Sequence, residues 1–326
     1  MSNTDLIREL RALTQAGMKD CKEALEESGW DLQKAVDIVK TKGLNIADGR
    51  SGRVASEGRV VIMEGVGTGV AVSSPPTGIA VFHSYQTTSI GRNVKVMVEV
   101  NCQTDFVANS QGFIDFTEIV AATFLGGVLH GDDVFDLASV ETPRTALVAT
   151  TKENVVVRRW WAEEPLDPTV QVFSYVHSNN KIGVLLDLQA PSAEAANDPA
   201  FLALGEDLCM QVAAMNPLAV APERIAPEEL QRQQAIFETQ LQELNKPPAT
   251  WPKIMEGKMR KWNTEVCLLE QESVIVPKST VKQVIKNVGL QLGGEIVVVN
   301  FIRCQVGEGI EKKQDNLAEE VAKLTE

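Results

Sequence analysis

Asn101-Cys102-Gln103-Thr104-Asp105-Phe106-Val107-Ala108 lies between two segments of different periodicity. Before it, residues 94–100 alternate with β-branched side chains and predict a strand; after it, residues 112–128 carry an apolar face at helical spacing. The octapeptide is therefore a strand-to-helix junction. Thr104 and Asp105 both suit the N-cap position, where a side-chain oxygen accepts the unpaired N–H groups of a first helical turn. Phe106 beside the carboxylate has two readings: a ring taken into its own core, or one offered outward as an anchor. Residue type alone favours the core, because most aromatic side chains bury within their own chain.

Working outward, the preceding segment at 59–63 predicts another strand, and residues 64–92 form a Gly/Ser/Pro-rich connection. Its Gly65-Val66-Gly67-Thr68-Gly69 is not a phosphate loop, since Pro75-Pro76 follows where a helix N-terminus would have to begin. An elaborated hairpin is the expectation. Further upstream, Leu6, Leu10 and Leu13 make one apolar stripe, and Met18, Cys21 and Leu25 a second. Asp31 caps a third helix carrying Leu32, Val36 and Val39 and ending at Gly43, with residues 44–57 as a linker. Three short helices in so few residues predict a minimal bundle.

Downstream, Phe113, Phe116, Val120 and Phe124 form a core-facing stripe, and residues 145–154 predict a further helix. A strand begins at Val155, and residues 170–176 and 182–188 predict a hairpin whose turn holds His177. Residues 202–215 read as a helix; residues 227–245 and 252–262 read as two more on either side of Pro247-Pro248. The last two predict a projecting antiparallel hairpin, packed along a seam that includes Met255, Met259 and Trp262. Strands are expected at 266–269, 274–276 and 296–302, a helix at 280–288, a turn at Gly307-Glu308-Gly309, and a short final helix bearing Leu317, Val321 and Leu324.

Composition bounds the function. The 326 residues are 44% hydrophobic and 23% charged, a globular balance. The net charge of −13 and the absence of a Lys/Arg-rich block argue against direct nucleic-acid contact. No apolar run is expected to span a membrane, and the first 30 residues show acids and amphipathic spacing in place of a signal peptide's apolar block, so a cytoplasmic location is expected. Five scattered cysteines without a CxxC pair, and three histidines, predict reduced thiols, no metal site and no cofactor. Cys102 as a nucleophile would need His83, His130 or His177, none of them near it in sequence.

Several strings resemble the elongation factor Ts family, the guanine-nucleotide exchange factors of elongation factor Tu. Thr104-Asp105-Phe106-Val107 resembles that family's central motif. The pattern from Leu10-Arg11 through Thr14, Ala16-Gly17-Met18 and Asp20-Cys21-Lys22 to Ala24-Leu25 resembles its opening bundle, of ubiquitin-associated type. Glu153-Asn154 followed by Arg158-Arg159, Tyr175 with His177, Met210 through Pro217, Met255 through Trp262, and Val306-Gly307-Glu308-Gly309-Ile310 extend the match over nearly the whole chain. The 64–92 connection, usually short in the family, departs from it, as does Asn179-Asn180.

The resemblance implies an α+β fold: a three-helix ubiquitin-associated-like bundle (1–50), a two-part antiparallel-sheet core (54–150 with the 64–92 insertion, then 151–222 and 265–306), a coiled-coil hairpin (223–264) and a C-terminal helical module (307–326). It implies binding to elongation factor Tu, with Asp105-Phe106 disturbing the GTPase magnesium site while Thr104 and Val107 fix the turn. Gly17, Met18, His177, Gly307, Glu308 and Gly309 are further candidate contacts. A homodimer and a two-to-two complex with the partner both remain open. The alternative is a ubiquitin-associated-type adaptor without exchange activity.

Overall fold

The computed structural model describes residues 2–14, 16–66, 93–130, 137–165, 167–243 and 250–311. Helices α1 (Asn3–Thr14), α2 (Met18–Glu27) and α3 (Leu32–Arg50) form the amino-terminal bundle around Leu10, Cys21, Ala24, Leu25 and Ala35. Gly29 and Trp30 take positive φ between α2 and α3, and the Asp31 carboxylate accepts the Lys34 N–H at 3.0 Å as the cap of α3. Gly43 does not end α3, which runs on to Arg50. A Cβ there would lie 3.6 Å from both the Ala149 Cβ and the Thr145 carbonyl, so this glycine marks close packing between helices rather than a terminus.

The rest is built on two three-stranded antiparallel sheets. β1 (Glu57–Val66), β2 (Asn93–Cys102) and β3 (Val156–Glu163) form the first in that order; β4 (Val170–Val176), β5 (Ile182–Gln189) and β6 (Val297–Gln305) form the second. The period of two along β2 sorts its side chains. Val94, Val96, Val98, Val100 and Cys102 pack beneath α5 (Gln111–His130) and α6 (Leu137–Thr151) with Phe113, Phe116, Val120 and Phe124. On the other face, Met97 meets Val60, Leu185 and Cys304 between the sheets. The outer face of the second sheet is covered by α7 (Pro199–Met215) and α10 (Val281–Gln291), through Phe173, Val184, Leu186, Phe201, Leu208 and Ile285. The result is four layers, helix–sheet–sheet–helix, in the expected α+β class.

α8 (Pro227–Glu243) and α9 (Trp251–Val266) are the two arms expected around the double proline. Lys258 joins them, donating to Gln240 Oε1 at 2.6 Å with its ammonium 5.0 Å from the Phe237 ring centre. α9 contributes no fully buried residue, and Leu230, Trp262 and Val266 pack at the base on Ala219, Ile225 and Cys267.

Several expectations need correction. β3, expected in the second half of the core, is hydrogen-bonded to β2 in the first sheet, so the change of sheet falls after Glu163. Residues 266–269 and 274–276 are not strands. Leu268–Glu270 is a 3₁₀ turn. The Val274 N–H donates to Gln211 Oε1, and the Ile275 and Val276 N–H groups donate to Ser273 Oγ, so side chains have taken the donors a ladder would need. Among the described residues one segment, Gln111–Leu129 with mean hydropathy 1.5, is long and apolar enough to cross a membrane; it is α5, whose Phe113 and Phe116 pack on the first sheet. The 64–92 connection from residue 67 onward, and the final helix expected beyond residue 311, lie outside the described residues.

Candidate partner-binding site

β2 ends at Cys102, and two residues later Thr104 caps α4 (Asp105–Ala108), its Oγ1 accepting the Val107 N–H at 3.4 Å. Of the two cap candidates, Thr104 holds the position. A four-residue helix has no intrinsic stability, so its form depends on what grips it. From below, Ala108 is buried and Val107 packs on the first core, while the Cys102 thiol donates to the Thr104 carbonyl at 3.2 Å. Toward α5, Asn109 Nδ2 donates to the Asp105 carbonyl and Ser110 Oγ to the Val107 carbonyl.

This leaves Asp105 and Phe106 on the open side. Phe106 is 84% exposed, whereas Phe113, seven residues on, is fully buried. A ring left in water forgoes roughly 1.5–3 kcal/mol of burial. Among the described residues no cation pairs with the Asp105 carboxylate.

The grip from the side comes from a residue to which the sequence assigned no role. After α6, Lys152 takes φ +60° and turns the chain so that Glu153 faces the junction. Its Oε2 accepts the Gln103 and Thr104 N–H groups at 3.1 and 3.0 Å, and its Oε1 accepts the Thr104 hydroxyl at 2.6 Å. Beside it, Asn154 Nδ2 donates to the Ser51 and Arg53 carbonyls of the segment leaving α3.

The other end of the Glu-Asn-x-x-x-Arg-Arg string serves a second turn. Glu99 of β2 is fully buried and accepts from Arg158 Nη1 at 3.0 Å, Arg159 Nε at 2.6 Å and the Gly307 N–H at 2.9 Å. Burial pushes the Glu99 carboxyl up, but the Gly307 N–H and the two guanidinium groups outweigh it and hold it below its ordinary range. Arg158 also donates to the Glu308 carbonyl, and Arg159 to that of Gln305. Gly307 and Gly309 have φ of +74° and +76°, and a Cβ on Gly307 would collide with the Ser56 carbonyl, so this expected turn requires glycine there. A lone acid in the Val-rich run Val94-Lys95-Val96-Met97-Val98-Glu99-Val100, on the same alternate positions as Lys95 and Met97, was the available signal for Glu99.

The candidate segments gather at one end of the sandwich. Glu57 pairs with Cys102 across β1 and β2, the Lys181 ammonium meets Glu57 at 2.9 Å, and the Val306 N–H donates to the Lys181 carbonyl at 2.8 Å. The 177–180 turn and the 307–309 turn therefore flank the Thr104 junction. His177 is exposed, with the Tyr175 hydroxyl 3.0 Å from its Nδ1. Gly17 is the cap position of α2, and Met18 beyond it is exposed, as is Leu13; Asp20 in the first turn of α2 pairs with Lys152 at 3.7 Å, next to Glu153.

A thiol mechanism does not fit this site. Burial, then the nearby Glu153 charge, pushes the Cys102 thiol up to about 12, so at neutral pH it is a protonated core group. The side chains of His83 and His130 lie outside the described residues. Among the described residues no group of His, Cys, Asp and Glu has the arrangement of a metal site.

Comparison with known proteins gives the family. The family model described as elongation factor TS matches residues 103–308, which begin at the junction and end in the glycine turn. Elongation factor Ts of Symbiobacterium thermophilum is 38% identical over 318 residues, 97% of this chain and 95% of that protein. The Syntrophotalea carbinolica protein of the same name is 35% identical over 98% of both chains, and that of Bdellovibrio bacteriovorus 33% over 97% and 96%. Matched along almost its whole length, with the motif residues held in one constellation, the chain belongs to the elongation factor Ts family and is a translation elongation factor.

Proposed function

We propose that this chain binds elongation factor Tu and promotes GDP release without covalent chemistry, acting in the cytoplasm. The observation that carries the reading is the exposed Phe106 ring on a turn whose backbone is tied down on every other side. A GTPase holds its nucleotide through Mg²⁺, itself held by a P-loop Ser/Thr, and through backbone N–H groups around the phosphates. A partner that prefers the empty form must, by linkage, weaken nucleotide binding by the same factor. Seating Phe106 in a pocket of the GTPase supplies roughly 1.5–3 kcal/mol toward holding such a form open. Asp105 brings negative charge toward the groups that position Mg²⁺, while Thr104 and Val107 keep the turn in register. The net charge of −13 is in keeping with action through a protein partner rather than through RNA.

The test is release of fluorescent GDP from elongation factor Tu at fixed magnesium, with this chain present below stoichiometry. Release accelerates with the native chain, and Phe106→Ala lowers the acceleration about tenfold or more while the fold survives. Equal acceleration by native and Phe106→Ala proteins would falsify the mechanism.

A further inference from the structure

We propose that Glu153 is a positioning residue for exchange: its carboxylate holds the Thr104 turn in the form that presents Phe106. This rests on the reading of Phe106 as the partner-facing anchor. Glu153 reaches 49 residues back along the chain and accepts three hydrogen bonds at 2.6–3.1 Å, from two consecutive backbone N–H groups and the cap hydroxyl. The two N–H groups belong to the residues leading from β2 into α4, where neither the strand ladder nor the short helix supplies an acceptor for them. Without the carboxylate, the Gln103 and Thr104 N–H groups and the Thr104 hydroxyl proton lose their acceptor; the bonds to the Thr104 carbonyl from Cys102 and Ala108 and the 3.4 Å bond from Val107 remain, and the turn samples forms in which the ring points elsewhere. Glu153 touches no reacting group; it sets the fraction of molecules ready to bind.

That role has a kinetic signature. When the binding-competent form is only fractionally populated, apparent affinity falls by that fraction, while the rate from the assembled complex is unchanged. Glu153→Ala therefore raises KM for the GDP-bound GTPase about five- to tenfold and leaves kcat within about twofold. Glu153→Gln restores most of the loss. Its amide oxygen can accept both N–H groups, and its amide nitrogen can donate to the Thr104 hydroxyl, which accepts as readily as it donates. Hydrogen exchange at the Gln103 and Thr104 amides quickens in Glu153→Ala and not in Glu153→Gln.

The experiment is steady-state GDP release with full-length native, Glu153→Ala, Glu153→Gln and Phe106→Ala proteins, melting curves being recorded for each. A KM within twofold of native for folded Glu153→Ala, a matching fall in kcat, or a Gln variant as impaired as the Ala variant overturns the positioning role. If Glu153→Ala does not fold, Thr104→Val removes the hydroxyl alone and raises KM about two- to threefold with kcat held; no change in KM there also overturns it. The Phe106→Ala arm separates the two readings. Unchanged release with Phe106→Ala removes the parent reading, whereas a slow Phe106→Ala beside a native-like Glu153→Ala removes only the role of Glu153.

Discussion

Two carboxylates occupy equivalent places in the two sheets and meet opposite fates. Glu99 stands on β2 and Asp187 on β5, the central strands; each sits at a break in strand register, and each faces the layer between the sheets. Glu99 finds two guanidinium groups and the Gly307 N–H, and its carboxyl is held below the ordinary value of 4.5. Asp187 finds another acid. Burial, then the charge of Glu163 and a hydrogen bond with it, pushes Asp187 up to about 7, and its Oδ1 lacks a hydrogen-bond partner among the described residues. The difference lies in what the facing segments bring: β3 carries Arg158-Arg159 near the end with the candidate site and finishes with Glu163 at the other. The end carrying the candidate site is braced by a compensated charge, and the far end contains an uncompensated one.

The largest effect is expected at Glu99. Glu99→Ala leaves two arginines facing each other across a cavity and costs about 3–5 kcal/mol. A midpoint of urea unfolding at pH 7 close to the native value would show that the clamp contributes nothing. The sign with pH follows from the lowered pKa. Folded Glu99 binds fewer protons than unfolded, so its contribution is present above the ordinary value and lost as pH falls through the folded one.

Asp187 has the reverse sign. Folded, it binds more protons than its ordinary 3.8 would allow, so its contribution is full below that value and is lost as pH rises toward about 7. Asp187→Asn keeps the shape, removes the titration, and raises stability at pH 8 by about 1–3 kcal/mol relative to native. Melting temperatures between pH 4 and 8 decide it: the native curve carries a fall over this window that the variant lacks. An unchanged slope in the variant would mean the carboxyl is not the group responsible.

What could be read from the sequence divides along the same physical lines. Local features were legible: the alternation of β2, the Thr104 cap, the double-proline hairpin and the glycine turn follow from neighbours a few residues apart. Features that depend on distant partners were not. Phe106 and Phe113 are the same residue type on consecutive helices, and composition favoured burial for both; only the family resemblance pointed Phe106 outward. Glu153 was visible as part of a motif, but its reach to Thr104 needs the α6-to-β3 connection to fold beside β2. Gly43 looked like a helix end because glycine ends helices often, whereas here it makes room for α6. The short apolar runs at 266–269 and 274–276 looked like strands until Gln211 and Ser273 claimed the donors of the second.

The smallest effect is expected at Glu163. Glu163→Gln removes one negative charge from the acid pair yet leaves Asp187 where it is, in the same buried position. Because burial is the larger cause of the upward shift and the Glu163 charge the next, the Asp187 pKa should fall only part of the way toward 3.8. A weaker dependence on pH then persists, and the gain at pH 8 is about 0.5–1 kcal/mol, less than that of Asp187→Asn. Should Glu163→Gln flatten the melting curve as completely as Asp187→Asn, the raised pKa belongs to a proton shared between two acids and not to burial. The contrast with Glu99 would then rest wholly on the facing side chain, since a glutamine there would suffice to make Asp187 an ordinary carboxylate.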